Sequence, residues 1–380
     1  MRQLWLGVGV FLLGGCATAA TQRANPSGAA ATGYDAWVVS ESADEVARIH
    51  FERGVATVAY KGRIGQMPME IDGPHGVAVA PDGRHVYVTL GHGVPFGSLR
   101  KLDAATGEEV GRTVLGLFPA TVDVTPDGEY GFVANFNLHG DHVPSSISKV
   151  HLPTMAEVAR TETCVMPHGS RLNRQGTRHY SACMMDELLV EIDAGTGEVL
   201  HRYSVARGAE GAAPHAGHAP RVDGQTASGG ASGQPGGCSP TWAEPHPDGS
   251  RVYVTCNRAK EVLEVDVTRW EITRRIPTGE SPYNLAVTPD SRHLLVSLRN
   301  RTDAAVEIYE LASGRQVAHV PASTTLVHGI AVTADSRYAF VSVEGIGSEP
   351  GKVDVVDLGT FQRVASVGIG QQATGIAVVR

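Results

Sequence analysis

The chain has 380 residues, of which 42% are hydrophobic and 19% charged, with 45 glycines and 21 prolines. That is enough apolar material for a substantial core and enough turn formers for many short elements. The formal net charge of -8, with no block of Lys or Arg, excludes the electrostatic footprint of a nucleic-acid-binding protein.

At the amino terminus Arg2 precedes an apolar run, Leu4 to Leu13, that is too short to span a bilayer as a mature helix. Leu13-Gly14-Gly15-Cys16 follows and resembles the lipobox of bacterial lipoproteins. The resemblance implies that residues 1–15 are a signal peptide, that Cys16 carries a lipid, and that the protein reaches a membrane through this anchor. Ala17, in place of Asp, implies the outer membrane, so the expected location is the cell envelope, facing the periplasm or the exterior. The alternative is an ordinary secretory signal with an unrelated cysteine. Residues 16–33, rich in Ala, Thr and Ser, read as a flexible tether.

Residues 36–59, AWVVSESADEVARIHFERGVATVA, read as three strands of a repeat that lacks its first strand. Six hairpins then share one pattern: GVAVAPDGRHVYVT (76–89), TVDVTPDGEYGFVA (121–134), GSRLNRQGTRHYSA (169–182), WAEPHPDGSRVYVT (242–255), NLAVTPDSRHLLVS (284–297) and GIAVTADSRYAFVS (329–342). Each has alternating apolar residues on both sides of a Pro-Asp-Gly-type turn, which is a hairpin signal with a turn mechanism behind it. Two further strand candidates follow each hairpin, as in VLEVDVTRWEITRRIPTG (262–279), so one repeat is a four-stranded meander. The turn positions Pro81, Pro126, Arg174, Pro247, Pro289 and Ala334 are spaced 45, 48, 73, 42 and 45 residues apart. The long interval contains residues 207–237, a Gly, Ala, Ser and His-rich run that reads as an insertion, with a disordered loop expected for its small residues. His215 and His218 lie on it. The last segment, QQATGIAVVR (371–380), supplies the first strand that residues 36–59 lack.

A ring that pairs its two chain ends is how propellers remove open sheet edges. The predicted fold is therefore all-β: a seven-bladed propeller over residues 34–380, closed by the C-terminal strand. Strands of the form VYVT, then a variable loop, V-x-V-D and a Gly-ended fourth strand resemble the YVTN-type β-propeller family, and more distantly the propellers of lactonases, of the cytochrome d1 haem domain and of the nitrous oxide reductase amino-terminal domain. The resemblance covers nearly all of residues 34–380. It implies a fold rather than a reaction, because propellers host unrelated functions.

Pro74-His75-Gly76, Pro167-His168-Gly169 and Val327-His328-Gly329 place a histidine at the start of three first strands. Aligning all repeats on His75 gives a ring, Thr374, His75, Ala120, His168, Thr241, Tyr283 and His328, for blades one to seven. The three histidines stand on blades two, four and seven, as even a triangle as seven blades allow. Neutral imidazoles converging on an axis suit Cu or Zn. His92, His142 and Glu344, on loops between second and third strands, are candidates for outer-shell groups or extra ligands. The competing reading makes these histidines caps of the channel through water and backbone hydrogen bonds. His85, His179 and His293 fall in second strands and read as structural.

Cys164 and Cys183, like Cys238 and Cys256, occupy the start of a first strand and the end of the second strand of one blade. In an exported chain two disulfides are the simplest reading. The alternatives are free thiols, or a soft-metal site using Cys164, Met166, His168, Cys183, Met184 and Met185. No nucleophile elbow, phosphate-binding glycine loop, haem-attachment motif or zinc-protease motif is present. The expected function is binding of a small ligand or protein partner at the histidine-rich channel mouth. The alternative is a Cu- or Zn-dependent enzyme at that mouth, similar to methanethiol oxidases or lactonases, although the lactonase carboxylate and asparagine ligands find no match here.

Overall fold

The computed structural model describes Met1 and residues 33–65, 71–92, 96–213 and 237–379. Cys16, the tether, His215 and His218 lie outside these residues. Apart from one 3-10 turn at Glu41–Ala43, the regular elements among the described residues are all strands, arranged as seven sheets and joined by turns and loops.

Each sheet is an antiparallel meander whose innermost strand borders a central channel. The innermost strands of blades two to seven are Pro74–Val79, Pro119–Val124, Pro167–Leu172, Pro240–Pro245, Pro282–Val287 and Val327–Val332. Blade one is the split blade: Ala373–Val378 pairs with Tyr34–Ser40, with Trp37 opposite Ala377 and Val38 opposite Ile376. The ring thus closes by strand pairing, as the sequence predicts. Blade four departs from the four-stranded pattern, because Gly211–Ala212 adds a fifth strand against Val199–Ser204. The insertion therefore begins with sheet, anchored by the ion pair of Glu210 with Arg275 of blade five, before residues 214–236, which lie outside the description.

The core fills the wedges between neighbouring blades, with Trp37, Tyr253, Phe132 and Phe340 all buried. Both cysteine pairs are disulfides, Cys164–Cys183 and Cys238–Cys256. No thiolate is left for the soft-metal alternative, which the structure overturns.

Two devices hold the innermost strands together. In each of blades two to seven the pairing of first and second strands slips at the ring position, between Pro74 and Val77 in blade two and between Val327 and Ile330 in blade seven. A bulge of this kind frees backbone groups and re-aims a side chain. The freed Gly76 N–H donates to Thr89 Oγ1 at 2.7 Å, and Thr89 Oγ1 donates to the Ala120 carbonyl of the next blade at 3.0 Å. Ser297 and Thr255 reach the His328 and Tyr283 carbonyls in the same way, at 3.2 and 3.0 Å. The threonine of VYVT is thus a strap between blades, and the bulge beside it turns the ring residue into the channel.

Candidate functional site: a histidine cluster that plugs the channel

The second residues of the innermost strands are the predicted ring, and the three histidines converge. The His75 ring centroid lies 5.2 Å from that of His328 and 5.9 Å from that of His168. Tyr283 completes the cluster, 4.9 Å from His328 and 5.4 Å from His168. All three histidines are buried, so the cluster stoppers the channel rather than lining an open mouth.

The three imidazoles have unequal duties. His168 Nδ1 lies 3.0 Å from the Thr241 carbonyl oxygen, which can only accept, so that nitrogen carries the proton. Its Nε2 then accepts from the Tyr283 hydroxyl at 3.1 Å. Both nitrogens of His168 are spent on the protein. His75 Nδ1 is 2.7 Å from Glu41 Oε2, and the other Glu41 oxygen meets His92 Nε2 at 3.1 Å. This leaves His75 Nε2 buried without a partner, and His328 Nδ1 is buried without one as well. Both rings line a cavity of about 20 Å³ beneath the plug, together with Thr121, Arg171, Trp242 and Asn284. That is room for about one water molecule.

Burial, reinforced by the neighbouring His75, pulls His168 down to about 3. His328 is lowered well below its ordinary value, chiefly by burial and then by His75 and Arg299. Burial alone would raise Glu41, but His75 and His92 outweigh it and hold the carboxyl at about 2. Above the plug, Arg299 forms a bidentate pair with Glu344, at 2.6 and 3.0 Å, and its guanidinium sits 5.2 Å from the Tyr283 ring centre. Glu344 raises Arg299 against the opposing effect of burial.

The outer-shell expectations change accordingly. His92 does join the cluster, through Glu41. Glu344 binds Arg299 instead of an imidazole, because the cation next to it offers two parallel donors. His142 is exposed, and His139 takes the place beside His92, with ring centroids 5.2 Å apart over Phe118. Among the described residues no group of three or more His, Cys, Asp or Glu side chains stands arranged to hold a metal ion, since His168 is committed to Thr241 and Tyr283.

Sequence reasoning missed Glu41 and Arg299. A signal was present: Glu41, Gly91, Phe136, Met184, Asn257, Arg299 and Glu344 each follow the last residue of a second strand, so they form a further aligned ring.

The fold and the plugged channel define the class: a seven-bladed β-propeller with a buried imidazole cluster at the start of its innermost strands. Among solved structures the chain is similar to the one described as Kuenenia stuttgartiensis hydrazine synthase, at 20% identity and TM-score 0.59, covering 79% of this chain and 82% of that one. It is also similar to a functionally unknown protein from Desulfotomaculum acetoxidans DSM 771, at 14% identity and TM-score 0.66, covering 91% and 99%. These likenesses show the fold alone. No protein-family model matches the chain, and no curated protein does.

Proposed function

We propose that the protein is an exported, lipid-anchored propeller of the bacterial cell envelope that binds a polar ligand of about water size at the His75–His328 pair, the size that the cavity beside them admits. The observation that carries this reading is the pair of buried, unpartnered nitrogens, His75 Nε2 and His328 Nδ1, on adjacent rings lining one small cavity. An unsatisfied buried polar atom costs about 1–3 kcal/mol, which a ligand bonding both would recover. Export is supported by the two disulfides, which belong to an oxidising compartment. The lipid anchor rests on the lipobox resemblance at Cys16, and Cys16→Ser is expected to release the protein from membranes or leave it unprocessed.

A second reading is favoured by Glu41, which holds His75 as carboxylates hold metal-ligating imidazoles and leaves Nε2 open. Here His75 and His328 would hold Cu or Zn, joined by His168 once it leaves Tyr283. The activity would then resemble that of methanethiol oxidases or lactonases.

Metal analysis and native mass spectrometry of protein purified without added metal separate the two. Stoichiometric Cu or Zn, lost in His75→Ala and His328→Ala but retained in His85→Ala, establishes the metal reading. A metal-free protein with a co-purified small molecule, released by the same two substitutions, establishes the binding reading. A protein that holds neither and takes up neither Zn nor Cu on titration makes the cluster a structural plug, and overturns both.

A further inference from the structure

The channel has a second end, which the histidine cluster does not reach. The last residues of the innermost strands surround a funnel of about 560 Å³ that opens among the hairpin turns, at Pro126, Pro247, Pro289 and Ala334. Its size falls within the range of small-molecule sites.

The funnel wall is divided by blade. Three residues beyond the ring position, blades six, seven, one and two carry Ala286, Ala331, Ala377 and Ala78, while the adjacent blades three, four and five carry Asp123, Arg171 and Glu244. Valines, isoleucines and Leu285 flank the alanines. One half of the wall is thus small and apolar, and the facing half is a continuous charged arc.

Hydrogen-bond accounting shows which member of the arc is free to act. Asp123 spends its oxygens on the N–H groups of Val124 and Leu172, both at 2.9 Å. Glu244 Oε2 stays 3.8 Å from Arg171 Nε, too far for a hydrogen bond. Arg171 lies with its guanidinium 4.6 Å from the Trp242 ring centre, and the hydrogen bond described for its five donors runs from Nη1 to the Ser170 carbonyl. Among the described residues the guanidinium is thus oriented by the stack, has Glu244 as its ion-pair neighbour, and leaves most of the hydrogen-bond donors of its planar fork unspent. A carboxylate is the acceptor whose geometry matches that fork.

We propose that the funnel is a second binding site, for an amphipathic alkyl carboxylate whose head is held by Arg171 and whose apolar body lies against the alanine half of the wall. Burial pushes Glu244 up to about 7, with Arg171 opposing and Asp123 adding to the rise, so its carboxyl is half protonated at neutrality and, on the acid side of it, offers a donor to the same head group.

Calorimetric titration of the full chain with octanoate, octan-1-ol and octylammonium tests the site. Octanoate is expected to bind one molecule per chain and about tenfold or more tightly than octanol, with octylammonium weakest, because a charge-assisted hydrogen bond is worth about that ratio. Arg171→Gln should reduce octanoate to the octanol level. Ala331→Asp places a carboxylate on the half-exposed opposite wall and leaves the Arg171–Trp242 stack intact, so it weakens octanoate even if Arg171→Gln does not fold. Octanoate binding should also fall between pH 6 and 8, as Glu244 ionises beside Asp123, Arg171 and Arg174, and this fall should vanish in Glu244→Gln. Octanol or octylammonium binding as tightly as octanoate, or octanoate binding unchanged in Ala331→Asp, overturns the proposal.

Discussion

Replacing Gly76 by alanine tests why glycine follows each channel histidine. A Cβ at this position would lie 2.2 Å from the Ala120 carbonyl oxygen and 3.1 Å from Thr121 Cα, both backbone atoms of the next blade. Neither can rotate away, so blades two and three must separate. The same carbonyl accepts from Thr89, so separation also loosens the strap between the blades. Overpacking a tight core costs about 1–3 kcal/mol, and with a backbone obstacle and a strained hydrogen bond the expectation is the upper end, about 3 kcal/mol. Gly169 and Gly375 meet the same obstacle, with Cβ positions 2.4 Å from the Thr241 carbonyl oxygen and 2.5 Å from that of His75. The control is Gly368→Ala in the outermost strand of blade seven, where a Cβ meets nothing within 4 Å. Urea unfolding followed by circular dichroism measures both. Gly76→Ala should shift the midpoint down strongly, while Gly368→Ala stays level or rises slightly. Separation should also part His75 from His168 and His328 and weaken whatever the cluster binds. Equal midpoints for Gly76→Ala and the parent would refute the close-approach argument.

Each disulfide closes a loop of 18 or 19 residues, worth about 3 kcal/mol in loop-closure entropy. Cys164→Ala/Cys183→Ala should therefore lower the unfolding free energy by about that amount under non-reducing conditions, and an unchanged value would show that the bridge carries no such constraint. His179 is buried against Phe132 with neither nitrogen partnered, and burial lowers it to about 3. Its folded state stays neutral while the unfolded chain takes up a proton below about 6.5, so stability is lost as pH falls from there toward 3, at about 1.4 kcal/mol per pH unit. In His179→Phe that loss disappears, so the variant's stability relative to the parent should rise from pH 6 to pH 4; an unchanged difference would show that His179 titrates normally.

Much of this protein follows from one-dimensional periodicity. The Pro-Asp-Gly turns, the alternation around them and their spacing determine the seven blades, and aligning the repeats determines the ring containing His75, His168 and His328. Strand pairing within a blade joins residues close in sequence, so these features, and the pairing of Cys164 with Cys183 and Cys238 with Cys256, are legible locally. The partners of the histidines are not. Glu41 reaches His75 from blade one, which exists only after Ala373–Val378 has paired with Tyr34–Ser40 at the other end of the chain. Which histidine is spent, and which keeps an open nitrogen, depends on Thr241 and Tyr283, brought to His168 from sequence separations of 73 and 115 residues. The funnel at the far end of the channel likewise became visible only with the ring closed, because a half-wall of Ala78, Ala286, Ala331 and Ala377 facing Asp123, Arg171 and Glu244 is a property of blade order around an axis. Repetition determines what each blade contributes to the channel; closure of the ring decides which contributions meet.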